Sequence, residues 1–176
     1  QFFNVGSHNH IRLEGADWND GLDMARENGE SVAFSAMYAH NLKALSDLLL
    51  KIGKSKIEIA QELNLLLKEI DYNDIKAKLK ILNDYFNQTK YTISGDKIKI
   101  DAATLAHDLK LKSQWMMNHI RKTEWLKCGF FNGYYDNLKK RVEGRKNNLV
   151  RMILNSQVFP IMSGFAENWQ VVKILQ

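Results

Sequence analysis

The chain has 176 residues, of which 45% are apolar and 26% charged, with a net charge of +5, one proline and one cysteine. This composition is typical of one globular domain with a buried core. No stretch approaches the roughly 20 uninterrupted apolar residues of a membrane span, and the single Cys128 excludes an intrachain disulfide and favours a reducing, cytoplasmic location.

The positive charge is spread along the chain and does not form a basic patch. Lysines alternate with Glu and Asp over residues 51–90 and 97–146, which is typical of a solvated helix surface. We therefore expect neither a nucleic-acid partner nor a membrane partner. Because the chain begins at Gln1 and ends in an apolar periodic segment, we expect a piece of a larger protein, truncated at both ends.

The N-terminal part is predicted to be non-helical. Residues 1–14 mix β-favouring apolar residues with interrupting polar ones, which predicts an extended segment or strand. His8 and His10 lie in this segment, and we expect them on a solvated strand face. An acidic loop over residues 15–29 follows.

The first two predicted helices follow the acidic loop. Over residues 30–52 apolar side chains recur every three or four positions, which predicts a long amphipathic helix that ends at Gly53. Ser55 and Glu58 have the spacing of a capping box, which predicts a second helix through residues 59–70.

A small β insert is predicted between the third and fourth helices. The third helix is expected over residues 74–86. Isoleucines then alternate with lysines after a Ser-Gly-Asp turn, which predicts a hairpin near residues 91–100. Asp101 can cap a fourth helix that extends to about residue 122.

The C-terminal part mixes turns and apolar runs. Residues 130–137 place Asn-Gly between aromatic residues, which predicts a strand or turn. Pro160 and Gly164 interrupt the next apolar run, and a last helix is expected from about Ala166. The pattern predicts a mainly α fold of consecutive helical hairpins with short β excursions, forming a single partial domain over residues 1–176.

The acidic loop contains the run Asp17-Trp18-Asn19-Asp20-Gly21. A calcium loop needs glycine at its sixth position and a bidentate Glu at its twelfth. Counted from Asp17, Gly21 is fifth and no Glu stands at the twelfth position, so calcium is disfavoured.

Other common sites find little support in the sequence. A zinc site is disfavoured because His8 and His10 have no further ligands at suitable spacing. Cys128 has no identified base nearby, and we expect a packed thiol. No phosphate-binding loop, dinucleotide fingerprint or nucleophile elbow occurs. The sequence therefore predicts no metal and no organic cofactor.

Two interpretations of the acidic run remain open from the residues alone. Glycosyl transfer needs a carboxylic acid that protonates the leaving oxygen, and an indole offers a platform for the face of a sugar ring. Trp18 beside Asp20 supplies both, while Asp17 and Asn19 can bind hydroxyl groups. Alternatively, Asp17 and Asp20 only cap turns, and Trp18 packs into the core.

Three blocks of the chain resemble the cellobiose phosphorylase family, glycoside hydrolase family 94. "EGADWNDGLDMARENGESVAFSAMY" (residues 14–38) is similar to that family's G-D-W-N-D-G-M…G-E-S-V segment. "GFFNGYYDNLKKRVEG" (129–144) is similar to its F-x-x-x-Y-D-D-D-G-x-x-x-G stretch. "LNSQVFPIMSGFA" (154–166) is similar to its L-N-P-Q-S-W-A-V-x-S-G-x-A segment.

The resemblance implies part of an (α/α)6 barrel that phosphorolyses a β-glucoside to a sugar 1-phosphate with inversion. In that family the second Asp of D-W-N-D is the general acid, which corresponds to Asp20, and the tryptophan, Trp18, lies against the sugar. Asp17 and Asn19 match the motif and are expected to shape the loop. The implied partners are a β-glucoside saccharide and inorganic phosphate, which is the co-substrate; a homodimer stays open.

The chain also departs from the family pattern. Ser156 and Phe159 stand where the family usually has Pro and Trp, which suggests a branch distinct from the cellobiose enzymes. The family's phosphate-binding His and Thr-Gly elements, and its Arg-Asp sugar contacts, have no match here. The alternatives are an inverting hydrolase on the same barrel and a non-catalytic helical interaction module.

Overall fold

The structure, a computed structural model, describes residues 1–14 and 24–176. About half of these residues are helical, which confirms the mainly α class. The elements are β1 (Ile11–Arg12), β2 (Glu30–Ser31), α1 (Val32–Ile52), β3 (Lys56–Ala60), a 3-10 helix (Gln61–Leu67), α2 (Ile75–Thr89), β4 (Lys97–Asp101), α3 (Ala102–Glu124), β5 (Tyr134–Tyr135), β6 (Gly144–Lys146), β7 (Leu149–Arg151), α4 (Leu154–Met162) and α5 (Asn168–Ile174).

The three longest helices begin at side-chain caps. Ser31 accepts a hydrogen bond from Phe34 N at the start of α1, and Asp74 and Asp101 cap α2 and α3 in the same way. Gly53 ends α1 in the left-handed conformation, with φ of 70°, which glycine adopts without a Cβ penalty. The predictions for these three helices are confirmed.

The second helix, predicted over residues 59–70, is confirmed only as a 3-10 helix at Gln61–Leu67, and its predicted start after Ser55 is wrong. Residues 56–60 form strand β3, which pairs with β4 so that Ile57 lies opposite Ile100 and Ile59 opposite Ile98. The predicted local hairpin near residues 91–100 is also wrong, because the partner of β4 lies about forty residues earlier in the chain. The two-residue alternation of Ile and charged residues outweighs the Ser55–Glu58 capping pattern, because pairing gives both strands backbone partners.

Two further sheets complete the described β structure. Strands β1, β2 and β5 form an antiparallel sheet in that order, with Ser31 opposite both Ile11 and Tyr134. Strands β6 and β7 form a separate hairpin. The strand or turn predicted at residues 130–137 is therefore β5, and the last helix begins two residues after the predicted Ala166.

Helix α1 lies at the centre of the core and packs against α3 and α4. Its buried side chains are mostly small, which brings the neighbouring backbones close. Three serine hydroxyls then bond to backbone carbonyls across the helix pairs: Ser46 to Ala106 O at 2.7 Å, Ser113 to Ala39 O at 2.6 Å and Ser163 to Ala36 O at 3.0 Å. Within the described ranges, no helix is both long and apolar enough to span a membrane.

A buried lysine attaches α2 to the N-terminal segment. Lys78 Nζ donates to Asn9 Oδ1 at 2.8 Å and lies 3.8 Å from the ring centroid of Trp115 and 4.2 Å from that of Phe2. Burial lowers the pKa of Lys78 to about 7. The segment before β1 is therefore part of the core.

Candidate active site

The predicted site residues Asp17, Trp18, Asn19 and Asp20 lie outside the described residues. The structure does describe both flanks of the acidic loop, at Glu14 and Met24, and the two other blocks that resemble the phosphorylase family.

The two flanks of the loop are hydrogen-bonded close together. Leu13 N donates to Gly29 O at 2.9 Å, and Gly29 N donates to Ala25 O at 2.9 Å. A Cβ added at Gly29 would lie only 2.1 Å from Ala25 O, so this backbone approach requires glycine. The residues on the two sides of the undescribed segment 15–23 are therefore held together.

The second block holds the C-terminal flank through Asn137. Its Oδ1 accepts hydrogen bonds from Glu27 N at 2.8 Å and Asn28 N at 3.0 Å. Its own backbone N–H donates to Met24 O at 2.7 Å. One asparagine therefore fixes the C-terminal end of the acidic loop to the segment after β5.

Tyr134 of the same block lies in a small buried cluster with Leu13, Ala25 and Ala33. Burial raises the pKa of this tyrosine above its ordinary value. Phe159 of the third block packs against the cluster. The cluster therefore contains side chains from all three blocks.

Gln157 binds the third block to the second. Its Oε1 accepts from Phe131 N at 2.9 Å, and its Nε2 donates to Phe131 O at 2.8 Å. This amide pair satisfies both backbone groups of a fully buried residue. The second and third blocks are therefore in direct contact in the fold.

Glu143 is a buried carboxylate at the end of the second block. It accepts hydrogen bonds from Gly133 N and from Ile153 N, the latter at 2.7 Å. Burial raises its pKa, against the opposing effect of hydrogen bonds from Ser156, Ile153 and Gly133. Because both of its oxygens accept hydrogen bonds from backbone amides, Glu143 holds the backbone at Gly133 and at Ile153 in place.

Glu30, which lies in the first block, is fully buried beside the N-terminal segment. Its carboxylate accepts from His8 N and His10 N, each at 3.1 Å, and pairs with His8 Nδ1 at 2.8 Å. A Cβ on Gly6 would lie 2.3 Å from the Glu30 carboxyl carbon. The glycine therefore makes room for the carboxylate.

A second buried carboxylate, Glu124, lies at the end of α3. It is bonded to His10 Nε2 at 3.1 Å, Tyr135 Oη at 2.9 Å and Asn132 Nδ2 at 3.0 Å. Burial alone would raise the pKa of Glu124, but the hydrogen bond and charge of His10, together with the bond from Asn132, lower it to about 2. Glu124 is therefore held as an anion inside the protein.

The expectation of a solvated histidine pair is wrong for His10, which is 1% exposed. The pair instead belongs to the two carboxylate networks, His8 with Glu30 and His10 with Glu124. Glu30 could have been found, because it is part of the G-E-S-V motif of the first block. No pattern in the sequence singles out Glu124 or Glu143.

Among the described residues, no group of three or more His, Cys, Asp or Glu side chains could hold a metal ion. In comparisons with known proteins, no protein-family model matches the chain and no curated protein matches it. The function proposed for this chain therefore depends on its residues and their arrangement.

Proposed function

We propose that the chain is the acid-bearing part of an inverting glycoside phosphorylase built on an (α/α)6 barrel. Its substrate is a β-glucoside, a disaccharide or oligosaccharide, and inorganic phosphate is the nucleophile. Asp20 is the general acid, Trp18 lies against the sugar ring, and Asp17 and Asn19 shape the loop. The proposed location is the cytoplasm.

One observation supports the proposal most strongly. The three blocks that resemble the phosphorylase family are separated by up to ninety residues, and they contact one another directly in the fold. Asn137 binds the C-terminal end of the acidic loop, and Gln157 binds Phe131. Blocks that jointly form a site are expected to meet in this way.

The chemistry explains why one catalytic carboxylate is enough. Inverting hydrolysis needs a second carboxylate to activate water. Phosphate is already an anion and needs only positioning. Asp20 must be protonated when the saccharide binds, so that it can give its proton to the glycosidic oxygen while phosphate attacks the anomeric carbon from the opposite face.

Product analysis tests this function. The full-length protein is incubated with β-linked glucose disaccharides with and without inorganic phosphate, and products are followed by phosphorus and proton NMR. We expect an α-configured sugar 1-phosphate that forms only when phosphate is present. Free glucose released at a phosphate-independent rate would identify a hydrolase instead, and a folded protein without turnover on any β-glucoside would favour a non-catalytic module.

A further inference from the structure

Strands β3 and β4 form a two-stranded antiparallel ribbon. Two backbone bonds flank this ribbon and continue its register: Gln61 N donates to Asp96 O at 3.0 Å, and Ala102 N donates to Ser55 O at 2.9 Å. In an antiparallel pair, residues that bond across the pair alternate with residues whose N–H and C=O point away from it. The odd-numbered residues of β3 therefore bond to β4, and the even-numbered residues direct their backbone groups outward.

The outward backbone groups of β3 have no partner in the part of the chain that the structure describes. Lys56 and Glu58 each leave an N–H and a C=O unpaired, and Ala60 leaves its N–H unpaired. Among the described residues, no third strand joins the ribbon. Because all three residues are exposed, this row of donors and acceptors is accessible to another extended segment.

The two faces of the ribbon differ in chemistry, because side chains alternate between the faces of a strand. One face carries four partly buried isoleucines: Ile57, Ile59, Ile98 and Ile100. The other face is exposed and carries three lysines: Lys56, Lys97 and Lys99. A strand that pairs with the outer edge of β3 places alternate side chains on the isoleucine face and on the lysine face.

A cleft of about 750 Å³ lies at the lysine face, lined by residues 54–58 together with Lys97 and Lys99. Lys99 is 3.7 Å from Glu58. The other lysines of the cleft form no salt bridge or side-chain hydrogen bond with a described residue; these are Lys54, Lys56 and Lys97. Strand pairing therefore gathers lysines that are spread along the sequence, and two of the unpaired ones, Lys54 and Lys56, lie on the β3 side.

The carboxylate opposite Lys56 is already occupied. Asp101 faces Lys56 in the register, but it caps helix α3, where it accepts from Thr104 N at 2.8 Å and from Thr104 Oγ1 at 2.9 Å. It forms no salt bridge with Lys56 among the described contacts. The lysine face therefore keeps a positive charge beside the open edge.

We propose that the outer edge of β3 binds an extended acidic segment of a partner protein, which joins the ribbon as a third strand. Main-chain bonds to Lys56, Glu58 and Ala60 supply affinity. Acidic side chains opposite the lysines, alternating with β-branched ones beside the isoleucines, supply selectivity. Lysines on an edge discourage pairing with neutral or basic strands, which leaves an acidic strand as the complement. The inference does not depend on the proposed function.

The test uses the full-length protein and a synthetic peptide in which Glu and Val alternate over about seven residues, close to the length of a typical strand. Binding is measured by fluorescence anisotropy, and a Lys-Val peptide of equal length is the control ligand. Glu58→Pro removes an outward N–H of β3 and spares the bonds to β4, because proline is tolerated at such edge positions. Lys99→Pro does the same on the opposite edge of the ribbon. Circular dichroism checks that each variant is folded.

We expect the Glu-Val peptide to bind, with an affinity that falls as ionic strength rises, and the Lys-Val peptide not to bind. Glu58→Pro should weaken binding at least about tenfold although it makes the face more positive, because the edge loses a donor and gains an obstructing ring. Lys99→Pro should weaken binding less than about threefold, since it removes one exposed charge and leaves the β3 edge intact. Absence of binding at about 1 mM peptide, equal weakening by both variants, or unchanged affinity in Glu58→Pro would overturn the inference.

A charge variant tests the same edge without proline. Lys54→Gln/Lys56→Gln should weaken binding roughly fivefold, the combined effect of two exposed charge pairs. The matched control Lys68→Gln/Lys76→Gln removes the same charge from exposed residues outside the ribbon, and its affinity should equal that of the parent. Equal effects of the two double substitutions would show that only the overall charge of the protein matters, which would contradict a site at β3.

Hydrogen exchange resolved to single residues locates the bound strand. The peptide should slow exchange at the amides of Lys56, Glu58 and Ala60, and leave those of Ile57 and Ile59 unchanged because they already bond to β4. Protection without this alternation would overturn strand addition. A dimer of the protein that Glu58→Pro dissociates, or a single-stranded oligonucleotide that binds more tightly than the peptide, would assign the edge to a second copy or to a nucleic acid and would also overturn the proposal.

Discussion

Replacement of Glu124 should lower the stability of the fold strongly. Its carboxylate is bonded to His10, Tyr135 and Asn132 with almost no solvent contact. Glu124→Gln keeps the shape and removes the charge, which leaves these partners mismatched in a buried site. We expect the free energy of unfolding to fall by about 3 kcal/mol, as for other broken buried charge pairs, measured by urea denaturation.

The same variant should alter the acid limb of the stability curve. The folded-state pKa of Glu124 is about 2 and its ordinary value is 4.5, so on acidification the unfolded chain takes up the proton first. The stabilising effect is complete above about pH 5 and is lost as the pH falls towards 2. Glu124→Gln should therefore lose less stability over this range, whereas Glu69→Gln, an exposed control, should follow the parent curve. Parallel curves for parent and Glu124→Gln would contradict this assignment.

At the residue scale, the motif predicts roles for Asp20 and Trp18, which lie outside the described residues. Glu30 lies within the same motif. The sequence predicts His10 on a solvated face because two histidines at alternate positions are typical of an exposed strand. His10 bonds to Glu124, which lies more than one hundred residues away, and no local pattern encodes that contact.

Among the elements, the β6–β7 hairpin depends on one side chain. Glu143 precedes β6 and accepts from Ile153 N, just after β7, and from Gly133 N. Glu143→Ala removes both bonds and leaves one buried and one partly buried amide without these partners. We expect hydrogen exchange to rise at least tenfold at the Gly133 and Ile153 amides and across residues 144–151, measured by NMR or mass spectrometry.

The control for this substitution is Glu58→Ala on β3, an exposed residue 3.7 Å from Lys99. Exchange in the β6–β7 hairpin should be unchanged in that variant. If Glu143→Ala leaves the hairpin as protected as in the parent protein, the hairpin is held by its own register, and the anchoring role of Glu143 is wrong.

Local rules predict the three longest helices well and the sheets poorly, and they miss α4, which runs through Pro160. Helices α1, α2 and α3 could be predicted because periodicity and caps at Asp74 and Asp101 act within a few residues of each other. The partner of strand β3 is β4, which is distant in the chain. A Ser-x-x-Glu pattern considered alone therefore predicts a helix start at this place. Pairing between distant strands is the information that short-range patterns do not contain.

On the scale of the whole molecule, the arrangement of the three blocks matters most. The acidic loop begins and ends beside Gly29 and Asn137, and the segment after β5 and helix α4 pack around these flanks. The order of the blocks was visible in the sequence, but their contact was not. A barrel made of further helical hairpins is the architecture that the proposed function requires.

The measurement that tests the account most directly compares Asp20→Asn with Asp23→Asn in the full-length protein. Phosphorolysis of a β-linked disaccharide is measured beside that of an aryl β-glucoside whose phenolate leaves without protonation. We predict that Asp20→Asn slows disaccharide turnover by at least about 10²-fold, the usual effect of a general acid. It should retain most activity on the aryl glucoside, and Asp23→Asn should resemble the parent on both. Undiminished disaccharide turnover in Asp20→Asn, or an equal loss on both substrates, would contradict the role of Asp20 as the acid.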